Sequence, residues 1–475
     1  MAEILKPDIC VIGAGSGGLS VAAATAALGV SCVLIEKGMM GGDCLNYGCV
    51  PSKALIASGK RAEALRRAGP FGMAAAEPVV DFTRVNDHVK SVIAAIAPHD
   101  SEERFTDLGV TVIREEASFI NPKRVIAGDY EIRARRYVIA TGSSPMVPPI
   151  PGLERVPYLT NETIFENRQR PVHIIIIGGG SIGMEMAQAH RRLGSNVTVV
   201  EMFSPLSKDD PEAAEIVIDK LRREGVDIRN DVKVVGVTGG KGAFTVEIES
   251  ERGTKQKVSG THLLVAAGRK PNVDGLGLEE AGIAYDRNGI SVDKGLRTSN
   301  RRVYAIGDVA GGYQFTHVAN YHAGLVIRSA LFRLPVKENP DIIPWVTYTD
   351  PELAQVGLTE AEARDKHKDT RVLRWSYEEN DRAQTERATD GFIKVVTSKR
   401  GKILGATIVG ASAGELIQIW ALAMSQGLKI KALTGFVSPY PTLGEISKRV
   451  AITYYTPSLT KPWLRRIIGF LRLFG

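Results

Sequence analysis

The sequence predicts an α/β protein with two Rossmann-like units, because one arrangement of residues occurs twice along the chain. In each copy, a short apolar strand is followed by a glycine-rich turn, an apolar helix, a second strand and a glutamate. The chain has 475 residues, 44% of them hydrophobic and 24% charged, which is typical of a globular protein of about three domains. One such turn is a weak signal, but two in their full context indicate two bound dinucleotides.

The first unit begins near the N-terminus. We assign the tight turn to Gly13, close approach to a pyrophosphate to Gly15, and helix–strand packing to Gly18. Glu36 follows Gly18 by eighteen residues (36 − 18), where an acid can bind ribose hydroxyls. The predicted elements are a strand over 8–12, a helix over 19–28 and a strand over 31–35.

The second unit repeats this spacing around Gly178, Gly180 and Gly183, and Glu201 again lies eighteen residues after the last glycine (201 − 183). A flavin dinucleotide in one unit and a nicotinamide dinucleotide in the other could exchange a hydride. The Glu201 carboxylate would repel a 2′-phosphate, so we expect NADH rather than NADPH. The alternative is that Glu201 only ends a strand. The predicted elements are a strand over 173–177, a helix ending at 193 and a strand over 196–200.

Two cysteines follow the first unit. Cys44 and Cys49 have four residues between them, and we expect them to meet across one helical turn, in a helix that continues from Ser52. A thiolate near a helix N-terminus is stabilised and is therefore a better nucleophile. No second Cys or His pair lies nearby at zinc spacing, so we predict no metal site. Cys10 and Cys32 fall inside predicted strands, as small buried hydrophobic residues.

The segment GGDCLNYGCVPSK, between the two units, resembles the class I pyridine nucleotide-disulfide oxidoreductases, which include dihydrolipoamide dehydrogenase, glutathione reductase and mercuric reductase. The resemblance covers about residues 6–455. The other motifs that match in order are Ala140-Thr141-Gly142, Ala267-Gly268-Arg269-Lys270-Pro271-Asn272, Val303-Tyr304-Ala305-Ile306-Gly307-Asp308 and the segment WVTYTDPELAQVGL from Trp345 to Leu358.

The resemblance implies FAD- and NAD-binding Rossmann-like domains followed by a C-terminal α+β dimerisation domain, in a homodimer. In this chain, residues 1–150 and 271–344 would bind FAD, residues 151–270 would bind NAD(P)H, and residues 345–455 would form the dimerisation domain. Residues 456–475 would form a tail. Further cofactor-binding residues implied by the matching motifs are Lys37, Gly42, Thr141, Gly142, Gly268, Arg269, Gly307 and Asp308, the last on the ribityl chain.

The family's mechanism implies that NADH reduces the flavin and that the flavin reduces the Cys44–Cys49 disulfide. Cys49 would be the charge-transfer thiol nearer the flavin, and Cys44 the interchange thiol that attacks the acceptor. Lys53 matches the lysine near flavin N5, and Glu185 matches its ion-pair partner. A buried lysine needs such a partner, because an uncompensated buried charge is costly. The alternative for Lys53 and Glu185 is an ordinary surface pair.

The sequence departs from the family's disulfide-reducing members in the C-terminal domain. Those members carry His-x-His-Pro-Thr and a later Glu, and one subunit's segment completes the active site of the other. Here Tyr440 stands at the acid/base position, whereas Glu445 is kept, and no histidine follows His367. A tyrosine titrates near 10 and is a poor base at neutral pH. We therefore expect slow or absent turnover with ordinary disulfides.

Several acceptors stay open. We place a disulfide such as lipoamide first. The alternatives are a metal ion, as in mercuric reductase, a quinone or another small oxidant. Mercuric reductase also has a tyrosine in this region, but its C-terminal cysteine pair is missing here, because no cysteine follows Cys49. A further alternative is a low-turnover subunit of a complex.

The last twenty residues predict a short basic amphipathic helix from Pro462. Two interpretations stay open: packing on the chain's own protein or second subunit, and peripheral docking on an anionic membrane surface. The net charge of +7 comes with no basic repeat, so we expect no nucleic-acid partner. The N-terminus has no signal-peptide pattern and the chain has only four cysteines, so we expect a cytoplasmic protein.

Overall fold

The computed structural model describes residues 2–459 and 461–474. The chain divides into two compact units. The first contains residues up to 178, 189–200 and 232–338, and the second contains 179–188, 201–231 and the residues from 339 onward. The α/β class predicted from the sequence is confirmed, whereas the predicted domain boundaries stay a prediction.

A five-stranded parallel sheet forms the centre of the first unit. Its middle strand, Ile9–Ile12, is fully buried and pairs with a strand on each side, as expected for a parallel sheet covered on both faces. Helices Ser16–Ala27 and Thr316–Ala330 pack against each other beside it. The strands in spatial order are Val303–Ala305, Arg136–Ile139, Ile9–Ile12, Cys32–Ile35 and Thr111–Ile113.

A second parallel arrangement repeats this design. His173–Ile177 is flanked by Asn196–Val200 and His262–Val265, both parallel to it. An antiparallel sheet follows, and its buried side chains share a core with this one. The antiparallel strands are Val232–Gly240, Ala243–Ser250 and Lys255–Gly260.

The remaining elements of the first unit are small sheets and helices. The sheets consist of Glu3–Leu5, Tyr130–Ile132, Arg124–Ala127 and Ala117–Asn121, of Ser143–Pro145 with Arg269–Pro271, and of Tyr285–Asp286 with Gly289–Ile290. The helices are Gly42–Asn46, Cys49–Arg66, Phe82–Ile96 and Glu102–Asp107.

The second unit contains a five-stranded antiparallel sheet covered by helices. Trp420 is fully buried beneath it and donates a hydrogen bond from its indole to Ser447 at 3.1 Å. The sheet strands in order are Pro344–Thr347, Glu352–Gly357, Ile403–Gly410, Phe392–Ser398 and Thr370–Ser376. The other elements are strand Val226–Arg229 and helices Pro211–Arg223, Glu360–Lys366, Asp381–Thr385, Ala413–Ser425, Ile430–Gly435, Glu445–Thr453, Thr456–Leu459 and Pro462–Leu471.

Most predicted elements agree with the structure to within a few residues. The first strand begins at Ile9 instead of residue 8, and the first helix spans Ser16–Ala27 instead of 19–28. The second helix, Ser181–Arg192, begins directly after the glycine turn. Within the predicted tail, Thr460 and Gly475 lie outside the described residues.

The expected continuous helix through both cysteines is wrong. Cys44 lies in helix Gly42–Asn46 and Cys49 begins helix Cys49–Arg66, with a break at Tyr47 and Gly48. On one straight helix, residues five apart point about 140° away from each other. The break lets the two thiols meet. A Cβ at Gly48 would lie 2.7 Å from the Asp43 carboxylate, so a larger residue at this turn would require that carboxylate to move.

Over residues 2–459 and 461–474, no helix is long and apolar enough to cross a membrane.

Candidate active site

The first glycine turn is held tightly by the chain itself. Gly13 has φ +105°, and a Cβ there would lie 2.5 Å from the carbonyl oxygen of Ala140. A Cβ at Gly18 would lie only 1.8 Å from the carbonyl oxygen of Gly13. A Cβ at Gly15, by contrast, would meet no protein atom within 4 Å. The turn therefore leaves open space beside Gly15 and the N-terminus of helix Ser16–Ala27, where backbone N–H groups can bind a phosphate.

Glu36 braces the same turn. Its carboxylate accepts hydrogen bonds from the backbone N–H groups of Ala14 and Gly38, each at 2.6 Å. Lys37, next to it, forms an exposed ion pair with Glu116 at 2.8 Å. Gly42 has φ +58°, and a Cβ there would lie 2.7 Å from the Cα of Gly15. The start of the Cys44 helix therefore rests directly on the first glycine turn.

The second turn has the same construction. Gly178 has φ +113°, and a Cβ there would lie 2.4 Å from the carbonyl oxygen of Ala266. A Cβ at Gly180, like one at Gly15, would meet no protein atom within 4 Å. The Glu201 carboxylate accepts from the backbone N–H groups of Gly179 at 2.6 Å and Phe203 at 2.9 Å. Gly183 lies in the first turn of helix Ser181–Arg192.

The pKa values of Cys44 and Cys49 are shifted in opposite directions. The Cys44 thiol donates a hydrogen bond to the Cys49 sulfur, and this lowers the pKa of Cys49 to about 6 and raises the pKa of Cys44 well above its ordinary value. The Thr316 hydroxyl lies 3.4 Å from the Cys49 sulfur, and it and the positive charge of Lys53 also lower the pKa of Cys49. Burial of Cys44 raises its pKa further. At neutral pH the reduced pair therefore consists of a Cys49 thiolate and a Cys44 thiol.

We expect the thiolate absorbance of the reduced protein to disappear as the pH falls through about 6. Replacing Cys44 with alanine removes the main donor, so the midpoint should rise toward the ordinary cysteine value of about 8.5. A pH titration of the ultraviolet thiolate band measures both. The Cys32→Ala variant, which changes a buried thiol elsewhere, is the control. An unchanged midpoint in Cys44→Ala would show that the Cys44 hydrogen bond does not set this pKa.

A network of charged and polar side chains connects Asp43, the residue before Cys44, with Asp308. The Asp43 carboxylate lies 3.2 Å from the Arg269 guanidinium, which donates to the Ser143 hydroxyl at 2.7 Å. Ser143 in turn donates to Asp308 at 2.5 Å. Burial raises the pKa of Asp308, and this hydrogen bond and Arg269 partly offset that effect. Asn161 donates to Asp43 at 2.9 Å.

The predicted residues Thr141, Gly142 and Gly268 lie close to this network. The Thr141 hydroxyl donates to the backbone carbonyl of Asn272 at 2.8 Å, and the Asn272 N–H donates to the Gly142 carbonyl at 3.0 Å. Gly142 and Gly268 have φ values of +68° and +123°, which favour glycine.

A buried histidine supports Gly307. Nδ1 of His322 accepts from the Gly307 N–H at 3.2 Å, so Nε2 carries the proton and donates to Glu338 at 2.9 Å. His322 is buried. Neither this histidine nor Thr316 was predicted from the sequence as a site residue. Thr316 is the first residue of a helix and lies eight residues after Asp308 (316 − 308). This position is the one feature of the sequence from which it could have been predicted.

The predicted partners Lys53 and Glu185 lie in different units, and their ion pair stays a prediction. Glu185 is buried, and its carboxylate accepts from the backbone N–H of Tyr348 at 2.9 Å. It is therefore not an ordinary surface residue. Lys53 lies one turn along the helix that Cys49 begins.

Tyr440 and Glu445 each have another partner within the second unit. The Tyr440 hydroxyl donates to the Asp381 carboxylate at 2.9 Å, which raises the pKa of Tyr440. Glu445 pairs with Arg449 at 2.8 Å, one turn along the same helix. Tyr440 is 67% exposed, so it is open to a substrate or a second subunit. In this arrangement the Tyr440 hydroxyl is a weaker acid than that of an ordinary tyrosine, so even less of it is ionised and able to act as a base at neutral pH.

The comparisons with known proteins agree with this geometry. The model of the pyridine nucleotide-disulphide oxidoreductase family matches residues 7–323, and the model of its dimerisation domain matches residues 343–451. The chain belongs to the pyridine nucleotide-disulphide oxidoreductases. The family resemblance predicted from the sequence is therefore confirmed.

Relatives within the family carry two different names. A mercuric reductase of Streptomyces lividans is 36% identical, over 94% of this chain and 96% of its own. A dihydrolipoyl dehydrogenase of Bacillus subtilis (strain 168) is 34% identical, with the same coverage. Among solved structures, the flavoprotein disulfide reductase RclA from Escherichia coli, in a Cu(II) complex, has a TM-score of 0.83 at 29% identity, covering 95% of this chain and 100% of its own.

Members of this family use FAD and NAD(P)H, and the chain is a flavoprotein disulfide oxidoreductase with these cofactors. The residues fit FAD and a nicotinamide dinucleotide. Gly15 and Gly180 each have open space beside them at the start of a helix, and the turn at each is hydrogen-bonded to a glutamate, Glu36 or Glu201. The matched dimerisation domain supports a homodimer. Within the described residues, no group of three His, Cys, Asp or Glu side chains could hold a metal ion.

We expect this oxidoreductase to use NADH with a higher kcat/KM than NADPH, because the Glu201 carboxylate would repel a 2′-phosphate. Glutamine at 201 removes the charge but keeps an oxygen for the Gly179 N–H, so it should narrow the NADH-to-NADPH ratio about tenfold. Flavin reduction with each donor measures the ratio. Glu251→Gln, an exposed change elsewhere, should leave it unaltered. A wild-type preference for NADPH would contradict the assignment.

Proposed function

We propose that the chain is an NADH-dependent reductase whose Cys44–Cys49 pair delivers electrons to a thiol-reactive acceptor. The observation that carries the proposal is the hydrogen bond from the Cys44 thiol to the Cys49 sulfur, with the Thr316 hydroxyl 3.4 Å from that sulfur and a lowered pKa of Cys49 to which Lys53 contributes. Bound FAD would supply the chemistry that links donor and cysteines, namely acceptance of a hydride from NADH and transfer of the electron pair to the cysteine pair. We assign the flavin contacts to the first glycine turn and Asp308, and the nicotinamide dinucleotide to the second turn.

A disulfide such as lipoamide is the first candidate acceptor. The Cys44 sulfur would attack one sulfur of the substrate, and the Cys49 thiolate would then attack Cys44 and release the second substrate thiol. The first attack requires that Cys44 lose its proton, which its raised pKa opposes. The leaving thiol requires a proton from a donor. Tyr440, held by Asp381, is poorly suited to either transfer, so we expect slow turnover.

A thiophilic metal ion is the second candidate, and the state of Tyr440 favours it. Two neighbouring cysteine sulfurs suit a soft metal ion, and reduction of such an ion involves no leaving thiol that must be protonated. The relatives named mercuric reductase and the Cu(II) complex of RclA support the same candidate. A quinone or another small oxidant, and a low-turnover subunit of a complex, are supported by no contact in the described residues.

Steady-state NADH oxidation by the FAD-loaded protein tests the proposal, with lipoamide, Hg(II), Cu(II) and a soluble quinone as separate acceptors. Turnover with lipoamide supports the first candidate, and turnover only with the metal ions supports the second. Flavin that NADH reduces but that no acceptor reoxidises would favour the low-turnover subunit. Flavin that NADH does not reduce would overturn the proposal as a whole.

A further inference from the structure

We propose that helix Pro462–Leu471, with the turn Arg472–Phe474 that follows it, docks the protein on an anionic phospholipid surface. We call residues 461–474 the tail helix. This inference does not depend on the electron acceptor, because the tail helix belongs to the second unit, whereas Cys44 and Cys49 belong to the first.

The tail helix separates apolar and basic side chains by its periodicity. At about 100° per residue, all of its large apolar side chains except Leu473 lie within an arc of about 160°. The arginines lie on the rest of the circumference. The residues on the apolar arc are Trp463, Leu464, Ile467, Ile468, Phe470, Leu471 and Phe474.

The apolar arc is exposed. All of its side chains except the half-buried Leu464 are between 46% and 74% accessible to solvent. The ring centroids of Phe470 and Phe474 lie 5.1 Å apart, so these two side chains form one exposed aromatic surface. Single exposed apolar residues are common, but a contiguous patch on one helix indicates a surface that another phase or molecule covers.

The charge of the segment identifies the covering phase. From residue 456 to the last residue, the sequence contains four basic residues, Lys461, Arg465, Arg466 and Arg472, and no acidic residue. Each basic side chain near an anionic leaflet contributes attraction, while the apolar arc inserts among the acyl chains. The ten-residue helix is about 15 Å long, half the thickness of a bilayer core, so it would lie in the interface.

A second copy of the same helix is a poorer partner. Two tail helices with apolar arcs face to face would bring eight basic residues together with no acidic residue to offset them. Like charges in contact oppose such pairing, whereas an anionic leaflet complements them. The aromatic Trp463 at the start of the helix also suits the boundary between headgroups and acyl chains.

The test is co-sedimentation of the FAD-loaded full-length protein with vesicles of phosphatidylglycerol and phosphatidylcholine, compared with vesicles of phosphatidylcholine alone. Trp463 gives a second readout, because Trp420 is buried and Trp345 and Trp375 are half-buried. Its emission should shift to the blue with the anionic vesicles, and Trp463→Phe should lose the shift but still sediment.

Two double variants separate the apolar and electrostatic contributions. Ile467→Glu with Ile468→Glu interrupts the apolar arc, and Arg465→Glu with Arg466→Glu reverses the charge. Each should lower the partition coefficient about tenfold or more. The matched controls are Val79→Glu, a fully exposed apolar residue elsewhere, and Lys241→Glu with Arg252→Glu, and both should bind as the wild type does.

Binding that is specific for anionic vesicles and lost in both tail variants would support the proposal. Absence of wild-type binding, or equal binding by the tail variants and the controls, would overturn it. If the wild type does not bind and Ile467→Glu with Ile468→Glu converts a dimer to a monomer by light scattering, the tail helix belongs to the subunit interface and the proposal fails. Reduction of the flavin by NADH, measured alongside, shows that each variant is folded.

Discussion

Replacing Cys44 with serine should lower reduction of the acceptor by about 10³-fold or more, with no loss of flavin reduction by NADH. Serine cannot form the disulfide that receives the electron pair, and its hydroxyl is not a comparable nucleophile at neutral pH. The glycine turns and the Asp43–Arg269 contact do not use the Cys44 sulfur, so both cofactors should still bind. Stopped-flow flavin reduction and steady-state NADH oxidation measure the two halves separately.

Cys32→Ala is the matched control for Cys44→Ser, since Cys32 is a buried thiol in the strand Cys32–Ile35. It should keep both half-reactions. Full turnover by Cys44→Ser with the best acceptor would mean that electrons leave the flavin directly, and the dithiol mechanism would be wrong.

Replacing Tyr440 with histidine should raise lipoamide turnover by about 10²-fold. An imidazole titrates near pH 6.5 and can exchange a proton at neutral pH, whereas the Asp381 carboxylate raises the pKa of Tyr440. In the wild type, Glu445 pairs with Arg449 and not with the residue at 440. The gain should therefore increase when Arg449→Ala is added, because the free carboxylate could then orient the new imidazole. Initial rates across pH 6–8 measure the effect.

Tyr440→Phe is the control that isolates the hydroxyl. We expect it to retain the slow wild-type rate with lipoamide. A large loss in Tyr440→Phe, with no gain in Tyr440→His, would show that the tyrosine itself serves as the acid/base group. Turnover with metal ions should respond little to either substitution, since it does not require a proton for a leaving thiol.

The sequence was sufficient to predict what is local and periodic. Both βαβ units, their glycine turns and the glutamates Glu36 and Glu201 follow from spacing within about thirty residues. The helix break at Gly48 could have been predicted, because five residues do not return to one helix face. The break is hard to recognise in the sequence because the residues before and after it both favour helix.

Contacts that join distant segments could not be predicted in this way. Thr316 contacts Cys49 from 267 residues away, and Arg269 reaches Asp43 across more than two hundred residues. No periodicity or composition relates such positions, because the topology of the sheet brings them together. The partners of Tyr440 and Glu445 were missed for a different reason. The sequence shows that tyrosine replaces the family's histidine at position 440. That Tyr440 binds Asp381 and Glu445 binds Arg449, however, depends on side-chain positions that the sequence does not give.

The first glycine turn separates two kinds of constraint. At Gly13 and Gly18 an added methyl group would collide with the chain's own backbone, so folding itself disfavours a side chain at these two positions. At Gly15 the same methyl group would meet no protein atom. Selection for folding alone would thus leave position 15 free to drift, and only selection for a bound dinucleotide would hold it. A descendant that had abandoned flavin chemistry but kept its architecture would be recognisable by a side chain at that one position.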